Sequence, residues 1–589
     1  MKKKTFKVSA ILTAVCSVGA LVTLVTSCSQ ESGGGGGVVV DETKTQIYIK
    51  NYQGGYGNKW LYSAKARYEE LHAEDSYESG KKGLQIIIAD QKARPSSAEI
   101  KNGTSELYFF ESINYHTTLA DNAFEDITEF VTGDNPYEPG KTIESKMFDF
   151  QRDFLNMKDS SGNSHYYAIP HYIGNFGIVY NKTIFREKGY YFAADYQNFD
   201  PVTESEFRFI ETPTSQKSVG PDGIAGTNDD GLPTTYDEFY ELCNYIKDGG
   251  NVPLVWMGKN GGGDYFGALA NSLASFYEGA EQAAVTYTYD GEVDVVKLNA
   301  DGTDVERDAE GNLIYETKTV HPNKVNGAYD GAEVMRTAGK YHALDFVNRI
   351  MDESYNPNGS HKGNWELNII SNSSSHLDAQ NYFINSQFGR LGAHGSQRNK
   401  SIAMIFEGNW WYSEASEVID SLAETERNQL DFGWMPLPKA DARSNSKQTV
   451  LFDNESYVFV KRGVPAFKKA IIGDFIQYMN TDEALQEFTM KTNAIKSFKY
   501  TLTDDNKKEM SNFGKDFWEY FQNADIVFPY SHEKQYMNTI GTQLSGRRYA
   551  YSTNITFCQN EFTADPSLTA GKYIAKMYKY YKGVYSTAA

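Results

Sequence analysis

The chain has 589 residues, 57 Lys plus Arg against 77 Asp plus Glu, with 40% apolar and 14% aromatic residues, which is enough to bury cores in two or more domains. A formal net charge of −20 repels phosphate backbones and disfavours nucleic acid as a partner. Four Cys, at 16, 28, 243 and 558, lack the spacing of a zinc site or a disulfide framework, and mean hydropathy is −0.55.

At the N-terminus Lys2, Lys3, Lys4 and Lys7 precede an uncharged stretch from Val8 to Ser27 rich in Ala, Val and Leu, the layout of a secretory signal. It ends Val25-Thr26-Ser27-Cys28, which resembles a bacterial lipobox. That resemblance implies cleavage after residue 27 and a diacylglyceryl group on Cys28. The alternatives are a signal peptide cut elsewhere or an uncleaved anchor. Residues 1–27 carry four Lys and no acid, so the mature chain would be more acidic still. An anionic membrane surface repels such a chain, and the lipid would have to hold it there. Ser29 to Gly37, SQESGGGGG, cannot pack a core, and the segment from 28 to 45 is expected to act as a flexible leash of about 20 to 25 Å. Beyond residue 30 no apolar run approaches the roughly 18 to 20 residues that span a bilayer.

Gln46 to Lys50 alternates as a strand, and over Lys59 to Glu74 the residues Trp60, Leu61, Ala64, Tyr68 and Leu71 fall on one helical face. LQIIIAD at 84–90 and GTSELYFFES at 103–112 read as the next strands. Strand, helix, strand predicts a parallel α/β sheet whose ligands sit at the strand C-termini. Thr235 and Glu238 form a capping-box pattern ahead of Phe239, Leu242, Cys243 and Ile246, so Cys243 is expected in a core stripe. Polar Asp/Gly-rich turns between 280 and 330 predict short hairpins. Over 466–479, Phe467, Ile471, Phe475 and Met479 form a further stripe, and Thr481-Asp482-Glu483 opens the next helix with acids at its positive end.

Several separated segments, in order over roughly 46–585, resemble the extracellular solute-binding proteins of ABC importers, the large family that includes the maltose-binding protein. They are AIPHYIGNFGIVYNKTIFREKG at 168–189 with Tyr180-Asn181-Lys182, LPTTYDEFYELCNYI at 232–246 with Tyr236 in place of a Trp, SIAMIFEGNWWYSE at 401–414, FGWMPLPK at 432–439 and the helix over 466–488. The resemblance implies an α/β fold of two lobes, with a ligand cleft between them. It places lobe 1 at 46–170 and 453–503, and lobe 2 at 171–452 and 504–589, with insertions near 200–232 and 285–327. Strands would cross at about 168–172 and 448–456. Such a hinge has open and closed states, and a ligand touching both lobes favours closure by its differential affinity. The implied partners are an ABC permease and a small polar solute, most simply an oligosaccharide, bound by a lipid-anchored monomer on the outer face of the cytoplasmic membrane.

A sugar needs flat aromatics for its C–H faces and Asp, Asn, Gln or Glu for its hydroxyls. By resemblance Trp410 is the stacking Trp; Trp411 beside it, if both lie on a strand, points to the opposite face. Asp264 and Tyr265, after Gly261-Gly262-Gly263, match a stacking position in lobe 2. Asn51, Tyr52 and Gln53 follow the first strand, Phe110 and Glu111 end the third, His171, Tyr172 and Asn175 lie beyond Pro170, and Asp453 and Asn454 lie at the return crossing. For each the alternatives are packing or solvation. The family's carboxylate at the position of Gly174 and its basic residue at Gln53 are missing, so maltose itself is not implied.

From Gly220 to Gly231 the loop gathers Asp222, Asn228, Asp229 and Asp230, hard oxygen ligands that suit a structural Ca²⁺. It departs from the EF-hand pattern at Gly223 and Ala225 and lacks a twelfth-position Glu; the alternative is a solvated turn. No other cofactor is implied. Gly-x-Ser-x-Gly, His-Glu-x-x-His and a phosphate loop are absent, and GGGDYFG at 261–267 is no dinucleotide fingerprint. The chain reads as a binding protein, not an enzyme. A receptor for peptide or another polar solute, or a surface glycan-binding adhesin without transport, remains the alternative.

Overall fold

The computed structural model describes residues 39–111, 115–195, 208–257, 264–354, 375–390, 400–452, 456–529, 555 and 558–587. The chain divides into Met1–Asp41 and a body from Glu42 to Ala589. In chain order the body's main elements are β1 (Thr45–Tyr52), α1 (Lys59–Leu71), β2 (Leu84–Gln91), β3 (Leu107–Glu111), β4 (Ile169–Pro170), β5 (Phe176–Asn181), α2 (Tyr236–Asp248), β6 (Val252–Val255) and α3 (Asp264–Thr288). There follow β7 (Gly291–Val296), β8 (Tyr315–Val320), α4 (Ala338–Ser354), α5 (His376–Ser386), β9 (Ile402–Gly408), β10 (Phe432–Met435), β11 (Thr449–Leu451) and β12 (Ser456–Val460). The body ends in α6 (Ala466–Met479), α7 (Asp482–Thr492), α8 (Asn512–Asn523), β13 (Asp525–Val527) and α9 (Ala570–Thr587).

Two sheets organise the body. The first runs β2-β1-β3-β12-β4, with β1 parallel to β2 and β3, and β12 antiparallel to β3 and β4. The second runs β10-β5-β9-β6, with β9 parallel to β6 and antiparallel to β5. Strands β3, β5, β9 and β12 are buried at every residue, because helices cover both faces and leave no polar side to alternate. β2 alternates instead, with Leu84, Ile86 and Ile88 inward. The chain passes between the sheets at 171–175, after β4, and again between β10 and β12. It passes a third time after α7, which packs on α1, to reach α8 on β10.

Local chemistry sets the helix ends where the sequence marks them. Thr235 Oγ1 accepts from Glu238 N–H at 3.2 Å, the Glu238 carboxylate accepts from Thr235 N–H at 3.3 Å, and Phe239, Leu242, Cys243 and Ile246 are buried as expected. Thr481 caps α7 by accepting from Ala484 N–H at 3.2 Å, with Asp482 and Glu483 in its first turn. The hairpin of the Asp/Gly-rich region forms as β7 and β8. Two stripe residues do not bury: Leu71 is 57% exposed and Phe467 40%, because each lies in a terminal turn that overhangs its sheet. The strand expected from 103 begins only at Leu107, since Ser97–Asn102 forms a helix with its own capping box at Ser96 and Glu99.

Replacing the Thr235 cap by Ala should lower stability by about 1 kcal/mol, read as the change in unfolding free energy in a urea titration.

Candidate functional site

Parallel strands present their C-termini on one edge, where loops leave the sheet and backbone N–H groups are free to meet a ligand. In the first lobe that edge holds Asn51 and Tyr52 at the end of β1, Asp90 and Gln91 at the end of β2, and Phe110 and Glu111 at the end of β3. In the second lobe it holds the end of β9, the start of β5 beside it and the end of β6. Tyr265 in the first turn of α3, His376 at the start of α5, and Asn409 and Trp410 beyond β9 stand at this edge.

On the lobe 1 side, Asn51 is buried and its amide donates to Asp90 Oδ1 at 2.8 Å, which ties β1 to β2. Tyr52 is half-buried, with Arg94 5.9 Å above its ring and Phe110 at 6.0 Å. Gln53 donates its N–H to Gln91 O at 2.9 Å, and Phe110 is fully buried. Glu111, 9% exposed, accepts from Tyr172 Oη at 2.7 Å and lies 3.6 Å from Arg94. Burial pushes its carboxyl above the usual range against the pull of Tyr172 and Arg94.

On the lobe 2 side, β9 ends at Gly408 and the chain turns at once into a helix over Trp411–Glu414. The two Trp therefore diverge at a turn, and not by strand alternation. Trp411 is fully buried among Phe383, Phe432 and Phe513. Trp410 meets Phe176 edge-on at 4.7 Å and Tyr265 edge-on at 6.3 Å. Tyr265 in turn stacks with His376, ring centroids 5.6 Å apart. Three residues that sequence reasoning passed over join here, an amide between two carboxylates: Gln380 Nε2 donates to the buried Glu407 Oε1 at 3.1 Å and also to the half-buried Glu414. Burial, then the Glu414 charge, raises Glu407 well above the usual carboxylate range. Glu407 and Glu414 stood in the same motif as Trp410, but nothing local distinguishes a carboxylate turned inward from a solvated one. The two edges sense each other, because Glu414 raises Glu111 and Tyr52 and Glu111 raises Tyr265, each beneath a larger burial effect.

The hinge residues are buried and bonded. Asn175 and Asn409 are both 0% exposed. Asn409 donates from its amide to Ile173 O and from its backbone to Asn175 O, each at 3.0 Å, and accepts from Asn175 N–H at 3.0 Å. Asn175 Oδ1 accepts from Leu451 N–H at 2.9 Å, so its side chain joins two crossing segments. His171 faces lobe 1's interior: its Nδ1 lies 2.5 Å from Lys496 Nζ, among Trp60, Phe109 and Phe488. Burial pushes Lys496 well below its ordinary value, and burial with the Lys496 charge does the same to His171. Asp264 opens α3; Asp453, Asn454 and Cys28 lie outside the described residues.

The 220–231 loop closes on itself. Asp222 Oδ1 accepts from Ile224 N–H at 2.7 Å, Asp229 Oδ2 from Asp222 N–H at 3.0 Å, Asp229 Oδ1 from Thr227 Oγ1 at 2.7 Å and Asp230 Oδ2 from Gly226 N–H at 2.8 Å. Asn228 donates outward to Glu519 at 2.6 Å. Among the described residues no group of three His, Cys, Asp or Glu side chains is placed to hold a metal ion. Asp230 Oδ1 is buried without a hydrogen-bond partner among the described residues, so not every oxygen of the loop is taken up within the turn.

Two hinged α/β lobes with strand ends facing across a cleft define a solute-receptor architecture. Residues 76–336 match the model of the bacterial extracellular solute-binding protein family. A chitin oligosaccharide binding protein shares the fold with a TM-score of 0.50, at 13% identity over 92% of this chain and 99% of that one. The apo form of RafE from Streptococcus pneumoniae has a TM-score of 0.48 at 14% identity, covering 92% and 99%. The maltose-maltodextrin binding protein of Alicyclobacillus acidocaldarius has 0.44 at 14%, covering 92% and 100%. No curated protein matches the chain in sequence. The resemblance read from separated motifs thus agrees with a family-model match over 76–336 and with a shared two-lobed fold.

Lys496 provides a test of the buried hinge. Its folded-state pKa lies below the unfolded value of 10.5, so over that window the unfolded chain binds the extra proton and stability rises with pH. Lys496→Met should therefore stabilise the protein at pH 7, by about 1 to 3 kcal/mol as for other buried charges replaced by apolar groups. It should also flatten the stability gain between pH 7 and 10, as measured by denaturant titration at each pH.

Proposed function

We propose that the protein captures a carbohydrate between its lobes and presents the closed form to an ABC permease. The observation that carries this reading is the pairing across the cleft of aromatic and carboxyl groups: Tyr52 and Glu111 on one edge, Tyr265, Trp410 and Glu414 on the other. Aromatic planes match the C–H faces of a sugar and carboxyl oxygens match its hydroxyls. The match to the solute-binding family, and relatives whose names refer to chitin oligosaccharide, raffinose and maltose, support the same ligand class. On this reading Tyr52, Glu111, Tyr265 and Trp410 touch ligand. Asn175 and His171 hold the hinge, and no covalent chemistry follows. Asn51, Gln53, Phe110, Tyr172, Asp264, Asp453 and Asn454 complete the proposed rim and its support.

Calorimetric titration against a panel of neutral oligosaccharides and peptides tests it. A sugar should bind, and Trp410→Ala should lose about 2 to 4 kcal/mol of that binding, the range of a buried aromatic anchor, with wild-type far-UV circular dichroism. Binding of peptides only, or product formed from a bound glycan, would reject the reading.

Tethering through Cys28 belongs to the same proposal. Its support is the run Val25-Thr26-Ser27-Cys28 behind a basic and then apolar leader, together with a family of extracellular proteins. Among the described residues no helix is long and apolar enough to cross a membrane. Cys28→Ser should abolish incorporation of labelled palmitate and shift the protein from the membrane fraction to the medium.

A further inference from the structure

The loop that follows β1 reaches across to Trp410. A Cβ built on Gly55 would stand 2.7 Å from Trp410 Cγ and 2.9 Å from its Cβ, closer than real Cβ atoms approach other heavy atoms. Only glycine permits this approach. On the indole's other part, a Cβ on Gly408 would stand 2.5 Å from Cε2. The ring is thus gripped between a glycine of each lobe, and Trp410 is 6% exposed.

Tyr56, next to Gly55, makes the contact specific. It is 5% exposed, and its hydroxyl donates to Ile173 O at 2.6 Å and lies 3.2 Å from Asn409 Oδ1. Its ring meets Tyr172 at 4.4 Å, and its carbonyl accepts from Ser413 Oγ at 3.2 Å. Ser413 and Asn409 belong to lobe 2 and flank Trp410 in sequence. Further out, Lys59 and Asp420 pair at 3.3 Å; both are exposed, so that pair contributes little.

We propose that Gly55 and Tyr56 form a seat for Trp410, which a ligand stacking on Trp410 has to displace. This rests on the reading of Trp410 as a ligand contact, and it makes Gly55 the residue that sets what may reach the indole. A competitor built into the chain reduces apparent affinity by the fraction of molecules in which the ring is free. Ligands too small to replace the contacts of Gly55 and Tyr56 gain nothing from Trp410.

The test needs no ligand. Acrylamide quenching is measured on the full mature chain, with the Trp410 contribution taken as the difference from Trp410→Phe among the seven Trp. In the wild type that contribution should be nearly unquenched. Gly55→Leu should raise its quenching constant about three- to tenfold, as a buried ring moves to solvent, and should enlarge the radius of gyration in X-ray scattering. If Gly55→Leu fails to fold by circular dichroism, K59C/D420C in the otherwise wild-type chain replaces it: a short bismaleimide should cross-link the pair in the ligand-free protein. A readily quenched wild-type Trp410, a quenching constant unchanged by Gly55→Leu, or no cross-link in the pair variant overturns the seat. Failure of sugar binding leaves all three readouts intact, so the two proposals fail separately.

Discussion

The body turns on two buried amides. Asn175 and Asn409 bond to each other through two hydrogen bonds at 3.0 Å, the Asn409 amide donates to Ile173 O at 3.0 Å, and Asn175 reaches on to Leu451. A buried amide left without partners costs roughly 1 to 3 kcal/mol, so these bonds hold the crossing segments in register where they pass between the sheets. Every contact across the cleft inherits its geometry from that point, since Asn409 immediately precedes Trp410 and Asn175 immediately precedes Phe176. The pair that holds the hinge therefore also aims the aromatic wall.

Periodicity and caps made the scaffold legible. The alternation of 84–90, the Thr235–Glu238 box and the apolar repeat after it recur in the structure because each is set within a few residues. What stayed hidden depends on partners far along the chain. His171 meets Lys496 and Gly55 meets Trp410 across more than 300 residues, and no local pattern announces either. Strand alternation failed for Trp410 and Trp411 because β9 stops at Gly408 and the chain turns into a helix there. Trp410 was singled out by motif, whereas Gly55, which covers it, was not.

The same limit explains the acidic loop at 220–231. Composition announces oxygen ligands, but an ion requires that they converge on one point, and a short glycine-rich turn can satisfy the same oxygens with its own N–H groups. Asp229 illustrates the balance. Burial, aided by the charge of Asp222 and opposed by Thr227, pushes its carboxyl up to about 6. Its two oxygens accept from Asp222 N–H and from the Thr227 hydroxyl, which is how the turn is built.

Carboxyl state also bears on what the cleft can hold. Glu111 and Glu407 are both displaced toward their protonated forms by burial, and each already accepts from neutral donors, Glu111 from Tyr172 and Glu407 from Gln380 and Gly408 N–H. A carboxyl near that balance can accept a hydrogen bond in one form and donate in the other. A hydroxyl likewise does both, so a polyhydroxyl ligand can be satisfied in either state, whereas a ligand with a fixed anionic group would meet the repulsion of these carboxyl groups. The electrostatics of the two edges and the flatness of Tyr52, Tyr265 and Trp410 thus select the same chemistry from different directions: an apolar face for the rings, and a rim of neutral groups that can donate or accept.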